Sequence, residues 1–166
     1  NRNVFVCNPS SFFRLPGTTF AYWVSESVLR IFAAFPLVEG GPRHALGGIK
    51  TLDDARFLRA WWELPLAADL HSQWPPMVKG GSKFRFYGPV PLAVDWRNKG
   101  SDISWYGYQR RPREGFGAAS RGVEAYFRPG ITWSRRTEGL RFRILPRGCI
   151  FSDKGPAIVV AHDDLT

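Results

Sequence analysis

The sequence predicts an α+β fold made mostly of short β-strands, with one clear amphipathic helix. Short apolar segments recur along the 166-residue chain, and some of them alternate with polar residues, as half-buried strands do. One longer segment instead has its apolar residues at helical spacing. The 17 glycines and 13 prolines exceed the usual shares of about 7% and 5%, which indicates many turns between short elements.

The N-terminal part predicts a strand, a loop and the helix. Val4–Cys7 is the predicted strand, and the loop after it closes at Pro16-Gly17. The helix is predicted over roughly Phe20–Phe35 and ends before Pro36, because the residue preceding a proline disfavours helical geometry. Its apolar residues share one face: Val24, Val28, Ile31, Phe32 and Phe35.

The rest of the chain predicts strands joined by turns. A polar turn is expected at 50–54, a loop-rich segment at 65–81, a turn at 98–100, and a long loop at 107–123, where Gly, Arg and Ser dominate. The predicted strands are His44–Lys50, Arg56–Leu64, Lys83–Tyr87, Leu92–Trp96, Gly130–Arg135, Leu140–Leu145, Cys149–Phe151 and Ala157–Ala161. The length fits a single domain over residues 1–166.

The chain is strongly basic, and the charge is uneven. The net charge is +9 and the pI is about 10.2. Residues 110–147 contain ten arginines, three glutamates and no lysine. Basic domains commonly bind nucleic acid, and a guanidinium can donate two parallel hydrogen bonds to phosphate or guanine. A GC-rich genome, which favours arginine codons, would produce the same excess without any binding role.

The sequence lacks the usual catalytic and metal-binding patterns. Its cysteines and histidines lie too far apart for a zinc motif or a disulfide framework: Cys7, Cys149, His44, His71 and His162. Cys149 stands in an apolar segment, which is typical of a buried thiol rather than a nucleophile. No phosphate-cradling glycine loop is present, and the paired carboxylates are adjacent in sequence, so they tend to point apart.

Location and completeness are also expectations from sequence. No apolar segment is long enough to span a bilayer, no signal peptide is present, and the cysteine content is typical of reducing compartments. We therefore expect a cytoplasmic protein without a membrane partner. Because the chain begins at Asn1 and lacks catalytic chemistry, we expect a fragment of a larger protein.

Aromatic and basic residues alternate in the predicted strands. In a strand, Lys83 and Arg85 would share one face, and Phe84 and Phe86 would share the other. One face could then pack while the other meets phosphates, and residues 141–143 repeat the pattern. A half-buried strand with a solvated basic face would have the same sequence.

Five blocks, in order, resemble the C-terminal target-recognition region of large adenine-specific DNA methyltransferases of the BREX/Pgl phage-defence type, which are related to fused type II restriction-modification enzymes. The blocks are LPGTTFAYWVS at 15–25, GIKT with RFLRAWWE at 48–63, VKGG with FRFYG at 78–88, VDW with KG at 94–100, and GITWS with FSDKGP at 130–156. The sequence departs from the family pattern at Leu52 and Asp54, where the family has glycine and asparagine, so a DNA contact there is in doubt.

The resemblance implies a division of labour within a longer parent enzyme. The parent would bind S-adenosylmethionine and methylate the exocyclic amine of adenine in duplex DNA, after flipping the base out of the stack. Catalysis and the cofactor would lie in an N-terminal methyltransferase domain outside this chain. The present chain would hold the double-stranded DNA and read its sequence, with no catalytic residue or cofactor of its own.

Two groups of residues are predicted to contact DNA. The first would hold phosphates: Lys50, Thr51, Lys79, Lys83 and Arg85. The second would reach a groove of the duplex: Arg110, Arg111, Arg113, Ser134, Arg135, Arg136, Arg141 and Arg143. The tryptophans are interpreted as core residues rather than stacking platforms: Trp23, Trp61, Trp62, Trp96 and Trp133.

Three other functions are alternatives to duplex recognition. A protein-interaction module of a defence complex would explain the aromatic and proline content and would not bind duplex DNA. A single-strand or RNA binder would present exposed tryptophans on which bases stack. An independent nuclease would need a convergent acidic metal site, which the sequence does not contain.

Overall fold

The computed structural model describes residues 6–38, 43–65, 70–81, 84–137 and 139–160. The chain divides into two compact units, Asn1–Gly40 and Gly41–Thr166. Helices and two sheets of short strands confirm the predicted α+β class. That all 166 residues serve one DNA target-recognition domain stays a prediction.

The first unit contains two short 3-10 turns and helix α1, Glu26–Ala34. The helix begins six residues later than predicted from Phe20, because the backbone at Ser25 is still extended. It ends at Ala34, one residue before the predicted end, because the backbone at Phe35 is already extended. Leu29 is its buried residue, whereas most of the predicted apolar face is exposed. The predicted strand Val4–Cys7 lies partly outside the described residues, and its described part is not a strand.

The first sheet of the second unit is antiparallel, in the order β1-β8-β5-β6. Its strands are β1 Arg43–Leu46, β5 Gly130–Trp133, β6 Phe142–Leu145 and β8 Ala157–Val160. Strands β5, β6 and β8 fall within predicted strands, each shorter than its prediction. Strand β1 overlaps the predicted strand His44–Lys50 but begins one residue earlier and ends four residues earlier. The predicted end of the last strand, Ala161, lies outside the described residues.

The second sheet has the order β2-β4-β3-β7, with β3 and β7 parallel and the other pairs antiparallel. Its strands are β2 Leu58–Ala60, β3 Pro76–Val78, β4 Leu92–Val94 and β7 Ile150–Phe151. Strand β3 lies in the segment predicted to be loop. The prediction was wrong because Pro75 and Pro76, at its start, are typical of loops. Residues of both sheets enter one buried cluster, including Met77, Val94, Leu145 and Phe151.

The predicted strand Arg56–Leu64 is wrong for most of its length. Helix α2, Asp54–Phe57, precedes β2, and a 3-10 turn at Trp61–Glu63 follows it. The Asp53 carboxylate accepts a hydrogen bond from the Arg56 amide at 3.1 Å. The Glu63 carboxylate accepts one from the Ala60 amide at 2.8 Å. These two side-chain contacts stabilise turns on either side of the short strand.

The predicted strand Lys83–Tyr87 is also wrong. Phe86 forms only an isolated bridge to Arg143, and its φ of +64° is incompatible with a regular strand. The Tyr87 amide bonds to the Arg85 carbonyl at 2.7 Å, which closes a tight turn. Side chains 84–87 are all exposed, so the predicted alternation of buried and solvated faces is absent.

The segment 107–123 consists largely of helix and turns rather than one long open loop, although most of its side chains are exposed. Helix α4, Ser101–Arg110, which the sequence did not predict, covers its start. Ser104 and Ser120 share a hydrogen bond of 2.6 Å, and Gly107 lies directly against Ala119. Helix α4 begins after the predicted turn at residues 98–100, where Asn98 and Lys99 have positive φ.

The short helix α3, Leu70–Gln73, lies between β2 and β3 in the sequence. In the part of the chain that the structure describes, every helix is too short or too polar to cross a bilayer.

Candidate nucleic-acid interface

Three segments that are distant in the sequence meet where β7 ends. The Ile49 amide donates to the Phe151 carbonyl at 3.0 Å, and the Asp153 amide donates to the Ile49 carbonyl at 3.1 Å. On the other side, the Ser152 amide donates to the Val78 carbonyl at 3.0 Å. The chain after β7 therefore lies between residues 49–51 and 78–81, and each of the three segments contributes a lysine.

Glycines allow two of these segments to touch through their backbones. A Cβ atom on Gly80 would lie 1.9 Å from the Lys154 carbonyl oxygen, and one on Gly155 would lie 2.9 Å from the Gly80 nitrogen. Any larger residue at Gly80 would push the segments apart. The neighbouring Gly81 has a φ of +104°, a backbone conformation that favours glycine.

The first cavity at this meeting point has a volume of about 350 Å³. Its lining includes four cationic side chains and two carboxylates: Lys50, Lys79, Arg111, Lys154, Asp54 and Asp153. Cations therefore outnumber carboxylates by two to one, and a cavity with this balance favours an anion.

Asp54 is held inside the first cavity by two donors. The Thr51 hydroxyl donates to its Oδ1 at 2.5 Å, and Lys79 forms an ion pair with its Oδ2. Partial burial raises the pKa of Asp54, but the hydrogen bonds from Lys79 and Thr51 and the charges of Lys79 and Lys154 outweigh it, so the pKa lies below its ordinary value. Asp54 is therefore ionised at neutral pH and competes with any other anion for Lys79.

Glu114 neutralises part of the opposite wall. It accepts a hydrogen bond from Arg111 at 3.0 Å and lies 4.0 Å from the Lys50 ammonium. The Arg111 hydrogen bond holds the pKa of Glu114 below its ordinary value. These pairs are partly exposed, so each contributes little to stability and can be exchanged for a ligand.

A second cavity of about 230 Å³ adjoins the first. The two share Asp153 and Lys154, and we refer to them together as the cationic groove. The second cavity is lined by Gly80, Gly81, Arg135, Arg136, Asp153 and Lys154. Both arginines are exposed, and neither pairs with a carboxylate among the described residues.

The backbone around these arginines is held in place. The Arg135 amide donates to the Lys154 carbonyl at 3.0 Å. The Gly81 amide donates to the Ser134 hydroxyl at 2.8 Å. The segment after β5 is thereby joined to both glycine-containing segments, and the guanidinium groups stay free to reach outward.

The cationic groove collects six of the thirteen predicted DNA-binding residues: Lys50, Thr51, Lys79, Arg111, Arg135 and Arg136. Ser134 is buried beside it and binds Gly81. Five predicted arginines lie outside the lining: Arg85, Arg110, Arg113, Arg141 and Arg143. Arg110 instead stacks over the Tyr106 ring at 4.8 Å, and Lys83 lies outside the described residues.

Besides Ser134, two predicted contact residues are buried. Thr51 is 6% exposed, and its hydroxyl is bonded to Asp54. Arg143 is also 6% exposed, because β6 turns it inward while the neighbouring Phe142 and Ile144 face outward. The predicted direct contact of Arg143 with DNA is therefore not supported by its placement.

Lys154 belongs to both cavities, and the prediction missed it. Residues 148–166 hold this one lysine against three aspartates, so the local charge gave no indication of a cationic site. The signal was its position in FSDKGP, the last block of the family resemblance. The pairing of that block with Lys79-Gly80 depends on the β3–β7 contact, which no local pattern predicts.

The interpretation of the tryptophans as core residues is correct for one of them and wrong for three. Trp96 is buried against Tyr126 at a ring distance of 5.4 Å, and Trp133 is half-buried. The other three are each 63% exposed: Trp23, Trp61 and Trp62. Trp61 and Trp62 contact each other edge-on at 5.6 Å and help to line an apolar cavity of about 540 Å³.

Cys149 is a buried thiol, as the sequence indicated. Burial raises its pKa to about 11, so the thiolate needed for nucleophilic attack is scarce at neutral pH. Within the described ranges, no group of three or more His, Cys, Asp or Glu side chains is arranged to hold a metal ion.

Comparison with known proteins finds related enzymes. The chain is 27% identical to adenine-specific methyltransferase BrxX of Escherichia coli O9:H4 (strain HS) over 162 residues, which cover 93% of this chain and 12% of that protein. It is 26% identical to adenine-specific methyltransferase PglX of Lacticaseibacillus casei (strain Zhang) over 163 residues, 92% of this chain and 13% of that protein. No family model matches the chain. The resemblance to BREX/Pgl-type adenine-specific methyltransferases is thus confirmed, for a segment that spans about an eighth of their length.

Proposed function

We propose that this chain binds duplex DNA through the cationic groove and reads its sequence, as the recognition part of an adenine-specific methyltransferase in phage defence or restriction-modification. The main supporting observation is that Lys50, Lys79 and Lys154, from three distant segments, line one cavity. Together with the adjoining Arg135 and Arg136, they form a cationic surface that suits a sugar-phosphate backbone.

Lysines and arginines have different parts in this proposal. The lysines of the first cavity act as point charges for phosphates, with Arg111 beside them. The exposed Arg135 and Arg136 can each present a planar fork to a guanine edge, a contact that contributes about 1–3 kcal/mol of discrimination. Their lack of carboxylate partners among the described residues means that no ion pair has to be broken before they meet DNA.

The methyl donor does not fit these cavities. S-adenosylmethionine carries a positive sulfonium centre, which four cationic side chains in the first cavity would repel. The lining of the apolar tryptophan cavity contains no carboxylate to balance that charge. Cofactor binding and methyl transfer would therefore belong to another domain of the parent protein, with which this chain would cooperate.

A salt titration of duplex binding tests the proposal. If about four phosphates are neutralised, affinity should fall roughly a hundredfold between about 50 and 200 mM salt, because each contact releases counterions. Fluorescence anisotropy with a random-sequence duplex pool gives the slope. A flat response, or no binding at low salt, would contradict the proposal.

The specificity part has its own test. Replacing Arg135 and Arg136 together with alanine should reduce enrichment of particular sequences from a random duplex pool, with a loss of roughly tenfold or more for the preferred site. Arg30 and Arg147 are exposed and lie outside the groove, so the double variant Arg30→Ala/Arg147→Ala is the charge-matched control. Unchanged enrichment in the Arg135/Arg136 variant would remove that pair from base reading.

The exposed tryptophans favour a second candidate, single-stranded nucleic acid. Trp61 and Trp62 stand at the mouth of an apolar cavity, and aromatic rings on which bases stack contribute about 1–3 kcal/mol per base. On this candidate, Trp61→Ala/Trp62→Ala would weaken oligonucleotide binding roughly tenfold, whereas Trp105→Ala, at an exposed site outside the cavity, would not. Preference for duplex over a single strand of equal length, together with unaltered binding by the double variant, would exclude it.

A further inference from the structure

Arg143 is a buried cation without a carboxylate partner among the described residues. It lies at the centre of β6, opposite the fully buried Thr132 of β5. Its Nη2 donates to the Lys79 carbonyl at 3.4 Å, and its Nε is buried with no hydrogen-bond partner. Burial lowers the pKa of Arg143, yet arginine remains protonated in proteins, so the charge persists inside the fold.

Such a residue is poorly explained by stability alone. A buried charge is costly unless it is paired and fully hydrogen-bonded, and replacing buried charges with apolar side chains of similar size is often neutral or stabilising. An apolar residue facing inward from β6 would continue the core that Leu145 joins two positions later. The contact of Arg143 with the Lys79 carbonyl is therefore a better explanation for a charge at this position.

The β5–β6 pair holds both sides of the glycine contact beneath the cationic groove. Arg143 of β6 holds the carbonyl of Lys79, just before Gly80-Gly81. Opposite it, the Thr132 hydroxyl of β5 donates to the Pro156 carbonyl at 2.9 Å and to the Gly155 carbonyl at 3.2 Å. The two cross-strand neighbours thus each fix one of the segments that carry Lys79 and Lys154.

We propose that Arg143 is a positioning residue for the DNA interface, which holds residues 79–81 against the segment of Lys154 and does not touch DNA itself. Its effect on DNA rests on the proposed function, whereas its effect on the 79–81 segment does not. A direct phosphate contact and a purely structural role are the two alternatives that experiment must separate.

The test compares Arg143→Met and Arg143→Lys with Arg147→Ala, which removes an exposed arginine from the turn after β6. We expect Arg143→Met to keep or raise the unfolding midpoint, because it removes a buried charge. Hydrogen exchange of the Gly81 amide should accelerate about tenfold, since its segment is released. Duplex affinity should fall about tenfold, with the salt slope unchanged because no phosphate contact is lost. Arg143→Lys keeps the charge and can still donate to the Lys79 carbonyl. Its Gly81 exchange rate and duplex affinity should therefore lie between those of the wild type and Arg143→Met.

Three outcomes would overturn the positioning role. Gly81 exchange in Arg143→Met equal to that of the wild type would show that the contact holds nothing. A salt slope reduced by about one would indicate a direct phosphate contact. A lower unfolding midpoint with faster exchange throughout the second unit would indicate a structural role. If the wild type does not bind DNA, the proposed function fails, and Gly81 exchange alone then decides the positioning role.

Discussion

Duplex DNA affinity is expected to fall roughly a hundredfold when Lys79 and Lys154 are both replaced by alanine. Both side chains line the first cavity. A hydrogen bond to a charged group contributes about 1.5–3 kcal/mol, and a loss of about 1.4 kcal/mol weakens binding tenfold. The slope of log affinity against log salt should also decrease by about two, since two phosphates would no longer be neutralised. Anisotropy titrations at several salt concentrations measure both quantities.

Two further variants show whether this loss is specific to the groove. Arg30→Ala/Arg147→Ala removes the same net charge from exposed sites outside both cavities, and it should change affinity by less than about threefold at moderate salt. Asp54→Asn should act in the opposite direction and tighten binding, because it releases Lys79 from its ion pair and removes a competing anion. Equal losses in the two double variants would indicate that overall charge rather than the groove binds DNA. Weaker binding by Asp54→Asn would contradict the competition between Asp54 and DNA for Lys79.

Replacing Gly48 by alanine is expected to destabilise the second unit by about 3 kcal/mol, at the upper end for an overpacked core. The new Cβ would lie 1.9 Å from the Phe151 carbonyl oxygen and 2.6 Å from its ring. Phe151 is fully buried and its carbonyl accepts the Ile49 amide, so neither side can move without breaking that contact. A loss of this size should lower the unfolding midpoint by roughly 10 °C, measured by circular dichroism or calorimetry.

The adjacent glycine provides the matched control. A Cβ on Gly47 would meet nothing within 4 Å, and its φ is not positive. Gly47→Ala should therefore leave the midpoint unchanged, or raise it slightly through the lower entropy of the unfolded chain, by up to about 1 kcal/mol. Similar midpoints for the two variants would contradict the close approach of Gly48 to Phe151.

Local patterns in the sequence predicted most strands but not their surroundings. Strands β5, β6 and β8 of the first sheet were found because β-branched and aromatic residues cluster there. Errors arose where one side chain overrides propensity, as with the Asp53 carboxylate that bonds the Arg56 amide. The positive φ of Phe86 likewise breaks an alternating pattern. Helix α4 was not predicted because its buried residues include Ser104 and Gly107, so its sequence lacks an apolar stripe.

The site was predictable in its chemistry more than in its geometry. Charge and motif identified Lys50, Lys79 and the Arg135-Arg136 pair, all of which line the groove. Exposure was not predictable, because the direction of a strand residue depends on pairing that the sequence does not state. Arg143 was therefore placed on the wrong side. The Trp61-Trp62 pair is exposed for another reason, since it lies in a 3-10 turn rather than in the predicted strand.

The parallel pairing of β7 with β3 has a consequence for how the binding surface forms. Contacts between residues far apart in the sequence form late in folding, since the intervening chain must first lose its freedom. During synthesis, Lys50 and Lys79 emerge long before residues 150–155, which complete the cavity walls. A nascent or truncated chain without that last segment would carry most of the positive charge but no groove, so under the proposed function it would bind DNA only once the C-terminal strands have docked.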